Sequence, residues 1–72
     1  MILRIRDEYI KLGQALKAAG VSDSGVEAKE RILAGEVLVN GEVCLQRGKK
    51  CYEGDVISLE EETITIAGSE DL

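Results

Sequence analysis

The chain has no His, no Pro, no Trp and no Phe, and only two Tyr and two Cys among its 72 residues. These gaps exclude whole classes of chemistry. Without His there is no imidazole to serve as a general base or a zinc ligand, and two cysteines fall short of the four ligands of a closed structural site. No nucleophile-and-base pair stands out, and there is no phosphate loop of the Gly-Lys-Ser/Thr kind. The sequence therefore predicts a binder, not an enzyme, with no cofactor and no metal. No apolar run approaches the roughly 18 residues of a membrane span. Met1-Ile2-Leu3 leads at once into Arg4 and Arg6, not the order of a secretory leader, so a cytoplasmic protein without membrane contact is expected. In that compartment Cys44 and Cys51 are expected as partly buried, reduced thiols rather than a disulfide.

What remains is Val, Ile, Leu and Ala, which must fill the core. A chain this short buries only about 60% of its unfolded surface, so that core is small and a single domain is the limit. With 44% hydrophobic and 32% charged residues the composition is that of a folded globule. The net charge of −5 argues against nucleic acid until its distribution is read. Five of the 14 acids (Glu60, Glu61, Glu62, Glu70 and Asp71) lie in residues 60–72 without a base among them, which leaves nine acids against nine bases in residues 1–59. The body is neutral and its bases are clustered.

Along the chain, Ile2-Leu3-Arg4-Ile5-Arg6 reads as a short strand. Asp7 is placed to cap a helix running from Tyr9 to Ala19, with Glu8 in its first turn and Tyr9, Leu12, Leu16 and Ala19 on one face. Gly20 ends it. Ser24-Gly25-Val26-Glu27 matches a capping box, opening a second helix that reaches Ala34, buries Ala28 and Ile32 with help from Val26 and Leu33, and stops at Gly35. The period then becomes two. Val37-Leu38-Val39, Asn40-Gly41 and Glu42-Val43-Cys44-Leu45 spell a hairpin with a type I′ turn. Glu53-Gly54-Asp55 is a further turn into the strand Val56-Ile57-Ser58-Leu59, and Thr63-Ile64-Thr65-Ile66 is a weak last strand pairing with the first or third. One domain over residues 1–67 and a frayed acidic tail over residues 68–72 are expected. The fold class is α+β, an αα-hairpin on a small, bent, mainly antiparallel sheet.

Arg47-Gly48-Lys49-Lys50 is the densest positive charge and suits phosphate contact, although such a run also serves simply to blunt a sheet edge. The helix start at Ser24, with Lys29 little more than a turn on, is a natural anion site, or a cap and nothing more. Lys11, Gln14 and Lys17 form a polar stripe that is either a contact face or a solvated one. Tyr9 and Tyr52 are the only aromatics available to stack on bases. With Tyr9 assigned to the apolar helix face, stacking is expected to contribute little. Glu60, Glu61 and Glu62 read as a solvated edge or turn.

In order and spacing, Leu12-Gly13-Gln14-Ala15-Leu16-Lys17, Ser24-Gly25-Val26-Glu27-Ala28-Lys29, Gly35-Glu36-Val37 with Val39-Asn40-Gly41, Arg47-Gly48-Lys49-Lys50 and Gly54-Asp55 resemble one family. It is the S-four (S4) RNA-binding domain, named after a ribosomal small-subunit protein, and in particular its stand-alone bacterial YaaA/YbcJ-like form. The resemblance extends from about Tyr9 to Leu59. It implies an αα-hairpin on a bent sheet and a function in binding structured RNA: rRNA, tRNA or a ribosomal particle. The contact residues it implies are Gln14, Lys17, Ser24, Lys29, Arg47, Lys49 and Lys50. Gly25 departs from the pattern, standing where many members place an Arg. A monomer is expected, since nothing in the sequence demands a dimer. The competing readings are a protein-interaction adaptor that keeps the fold without RNA, and a sulfur-carrier-like protein. The second lacks its terminal Gly-Gly, because the chain ends Ser69-Glu70-Asp71-Leu72.

Overall fold

Strand alternation and two short amphipathic helices account for nearly every buried residue. The computed structural model describes residues 1–68. In chain order the elements are β1 (Ile2–Ile5), β2 (Tyr9–Lys11), α1 (Leu12–Ala18), α2 (Gly25–Leu33), β3 (Leu38–Val39), β4 (Glu42–Val43), β5 (Lys50–Tyr52), β6 (Val56–Ser58) and β7 (Thr63–Gly68). Five strands form one sheet in the order β1-β7-β6-β3-β4, while β2 and β5 form a separate ribbon. The β1–β7 pair is parallel and the other pairs are antiparallel. The fold is thus the expected α+β arrangement, a helix pair with a mixed sheet.

Period-two alternation divides β7: Ile64 and Ile66 are buried, Thr63 and Thr65 are not. With Ile5, Val39 and Ile57 they form the sheet's share of the core, and Leu12, Ala15, Leu16, Ala28 and Ile32 form the helices' share. Val26 and Leu33, expected to help bury α2, are 68% and 58% exposed. They lie seven residues apart, hence on one side of the helix, and that side is turned away from the Ala28–Ile32 stripe.

The first helix differs most from expectation. Tyr9–Lys11 is a strand, and α1 is only seven residues long, starting at Leu12. Asp7 does not cap it. Lys11 holds the cap position with no side-chain hydrogen bond. Two amides of the first turn, which have no partner within the helix, are met by loop carbonyls instead: Leu12 N–H donates to Lys49 O at 2.9 Å and Gly13 N–H to Arg47 O at 3.0 Å. A backbone cap supplied from over thirty residues away leaves no local signature.

The remaining turns form as read. Gly20 and Gly35 follow the two helix ends. In the β3–β4 hairpin Asn40 and Gly41 have φ of 52° and 86°, the left-handed pair of a type I′ turn. The last strand is longer than expected: Ala67 is buried and Gly68 pairs with Ile5, so the body extends through residue 68. Ser69–Leu72, the rest of the expected tail, lie outside the described residues. Both thiols are free, Cys44 partly buried and Cys51 fully so. Among the described residues no helix is long and apolar enough to cross a membrane.

Candidate nucleic-acid interface

The two carbonyl caps on α1 have a second effect: they draw the Arg47–Lys50 segment against the start of the helix. The approach does not depend on Gly13 being glycine, because an added Cβ there would lie in ordinary contact, 3.6 Å from Arg47 Cβ and Arg47 O. Beside this seam an open cleft of about 330 Å³ is lined by Lys11, Gln14, Lys17 and Arg47, with Gly13, Gly25 and Gly48 supplying bare backbone. Three cations and one amide therefore surround a cleft where glycines let a ligand come close to the main chain.

Three of the seven expected contact residues, Gln14, Lys17 and Arg47, line this cleft together. Ser24 reaches it only through its neighbour Gly25. Its hydroxyl accepts from Glu27 N–H at 3.2 Å, so Ser24 acts here as the cap of α2. Lys29, one turn further along α2, and Lys49 are exposed but do not line the cleft. Lys50 belongs to β5, with its ammonium 4.8 Å from the centroid of the Tyr9 ring. Lys11 lines the cleft and was not among the expected contacts. Its sequence signal was present in the Lys11, Gln14, Lys17 spacing, although Lys11 sits on a strand and not on the helix.

Charge pairing sharpens the contrast between the two ends of α2. Among the described residues Arg31 is the one basic side chain in an ion pair, bonded to both Glu36 and Glu61. Lys11, Lys17, Lys29, Arg47 and Lys49 pair with no described carboxylate. Among the described residues, then, no carboxylate competes for the cleft cations, while two compete for Arg31. Free cations beside bare backbone are the ingredients of phosphate contact.

A sequence profile of the S4 domain matches residues 3–67. The chain belongs to the S4 domain family. Over 58 residues it is 48% identical to the probable ribosome maturation protein RlbA of Bacillus subtilis (strain 168), which covers 81% of this chain and 82% of that protein. The family is an RNA-binding one and not a family of enzymes. In this S4 domain the match runs through both helices, the hairpin and the cationic loop, so the cleft lies wholly within it.

Proposed function

We propose that this S4 domain binds structured RNA of the ribosome, and that its contact surface is the cationic cleft together with the exposed bases around it. The observation that carries the reading is the convergence on glycine-bared backbone of Lys11, Lys17 and Arg47, none of them paired with a carboxylate among the described residues. Gln14 supplies a neutral hydrogen-bonding group between them. Lys29, Lys49 and Lys50 flank the cleft as longer-range phosphate contacts, and Ser24 orders the edge where Gly25 lies. The similarity to a probable ribosome maturation protein favours rRNA, free or in a ribosomal particle, over tRNA. Such a partner implies a cytoplasmic protein, which we propose acts as a monomer.

The acidic remainder of the surface limits affinity and makes it salt-sensitive. Cations within about a Debye length of a phosphate still act on it when the distant acids are screened. The test is binding to total rRNA and tRNA across a salt series, comparing wild type with an Arg47→Ala, Lys49→Ala, Lys50→Ala variant. A steep salt slope, shallower in the variant by roughly 2 units (about 0.7 per phosphate contact on single strands), is expected. Absence of binding by wild type even at low salt would reject the reading and favour a protein-interaction adaptor.

A further inference from the structure

The β2–β5 ribbon presents a second surface next to the cleft. Residues directly opposite in an antiparallel pair share a face, and faces alternate along the strand. The register is Tyr9↔Tyr52, Ile10↔Cys51 and Lys11↔Lys50. Cys51 is fully buried and Ile10 packs against the core, so that pair faces inward. The outward face therefore carries Tyr9, Tyr52, Lys11 and Lys50.

Its geometry is specific. The two rings lie 5.8 Å apart, centroid to centroid, at a tilt of 51°. The Lys50 ammonium stands 4.8 Å from the Tyr9 centroid. Tyr9 is half-buried between these neighbours, whereas Tyr52 remains 42% exposed. Tyr9 thus buttresses Tyr52, which keeps surface open to water.

A tyrosine pair alone would be explained by ribbon stability, since cross-strand aromatics are favourable. Lys50 shares in that stability through its cation–π contact with Tyr9, but Lys11 does not. Like charges directly opposite one another destabilise a strand pair, and neither Lys11 nor Lys50 is neutralised by a described carboxylate. The arrangement makes sense when an anion lies between or beside them. Aromatic surface interleaved with cations is also how proteins hold unpaired nucleotides. Lys11 joins this face to the cleft that Arg47 lines, because it also lines a second, smaller cleft with Tyr9, Ile10, Gln14 and the acidic Asp7.

We propose that the β2–β5 ribbon is a stacking site for one unpaired nucleobase, which packs on Tyr52 while Lys11 and Lys50 hold its flanking phosphates. The inference rests on the RNA-binding reading and narrows its ligand: RNA whose helical part lies at the cleft and which offers an extruded or single-stranded nucleotide beside it. A fully paired helix has no base to give. Stacking is then a main contributor to binding, contrary to the expectation from sequence.

The test uses a hairpin RNA with one bulged adenosine and the same hairpin with an abasic bulge, which are equal in charge. Wild type should bind the adenosine hairpin roughly 5- to 150-fold more tightly, the fold-change of one stacked base. Tyr52→Phe should keep that preference and Tyr52→Leu should lose it, with unchanged circular dichroism. The chain has two Tyr and no Trp, so intrinsic emission comes only from Tyr9 and Tyr52 and should be quenched by the adenosine hairpin alone. A preference that survives Tyr52→Leu would overturn the inference. So would equal wild-type affinity for both hairpins, provided a Lys17→Ala, Arg47→Ala variant weakens both; that outcome leaves the RNA-binding reading standing. No wild-type binding to either hairpin at low salt would remove both.

Discussion

Arg31 and Glu61, thirty residues apart, meet in a bidentate pair, with Nη1 to Oε2 at 2.7 Å and Nη2 to Oε1 at 2.9 Å. The same guanidinium donates through Nε to Glu36 Oε1 at 3.0 Å. One side chain near the end of α2 thereby ties the helix both to the residue leading into β3 and to the β6–β7 turn. The consecutive acids read from sequence as a plain solvated edge thus include one with a specific partner.

That pair predicts a particular acid response. The Arg31 hydrogen bonds hold the Glu61 carboxyl down from its ordinary 4.5 to about 2. A carboxylate with a lowered folded-state pKa contributes stability that is fully present above its unfolded value and is lost as pH falls through the folded one. Wild-type urea midpoints should therefore decline as pH drops from about 4.5 towards 2, and Glu61→Gln should decline less over the same window. Parallel curves for the two proteins would show that the pair adds nothing in water, the usual fate of exposed ion pairs.

Ser22 and Ser24 should respond in opposite directions to removal of the hydroxyl. Ser24 Oγ accepts from Glu27 N–H, so Ser24→Ala is expected to cost about 1 kcal/mol and Ser24→Gly only a few tenths. Ser22 is 4% exposed and its Oγ has no hydrogen-bond partner among the described residues. Ser22→Ala removes a buried unsatisfied group and should be neutral or stabilising by up to about 1 kcal/mol. Chemical denaturation of both variants checks the signs.

Asn40 does more than turn the hairpin. Its Oδ1 accepts from Val56 N–H at 2.9 Å and its Nδ2 donates to Asp55 Oδ1 at 3.1 Å, while Asp55 Oδ2 accepts from Tyr52 N–H at 2.8 Å. The Asn40–Gly41 turn is thus fastened to the Gly54–Asp55 turn. Asn40→Ala should destabilise by about 1–3 kcal/mol, because it unpairs Val56 N–H as well as losing the positive-φ preference. Asn40→Gly, which keeps only the backbone freedom, should recover little of that loss.

Gly25 offers a gain-of-function test of the cleft. A Cβ built there meets nothing within 4 Å, and the residue lines the cleft. Gly25→Arg should fold normally, bind rRNA more tightly at low salt and steepen the salt slope by roughly 0.7–0.9, one added phosphate contact. Unchanged affinity in a folded variant would place the RNA elsewhere.

The two thiols should be separable by rate. Burial pushes the Cys51 thiol up to about 11, whereas Cys44 is only partly buried. A thiol reagent near pH 8 should modify Cys44 in the native protein and Cys51 only on unfolding. Peptide mapping after brief alkylation reads the outcome directly.

Local signals carried most of the fold. The Ser24 cap, the Asn40–Gly41 turn and the glycines after each helix act within four residues, so the sequence states them outright. Tyr9–Lys11 was misread because its three residues fit a helix as well as a strand, and the deciding partner, Lys50–Tyr52, is about forty residues away. The same distance hid the Lys49 and Arg47 carbonyl caps of α1. For the site, the family resemblance implied Gln14, Lys17 and Arg47 among the contacts, and these three line one cleft. The outward pairing of Tyr9 with Tyr52 depended on register, which no local pattern encodes.

The parallel pairing of β1 with β7 sets Ile2 beside Thr65, at nearly the full separation the described chain allows. Contacts of such long range are slow to form, because the intervening loop must close before they gain anything. During synthesis β1, with its core residue Ile5, has to wait for the last strand to be made before it can dock. The helix pair and the Asn40–Gly41 hairpin need no such wait. The half that carries the cleft can therefore take shape first, and completion of the sheet follows it.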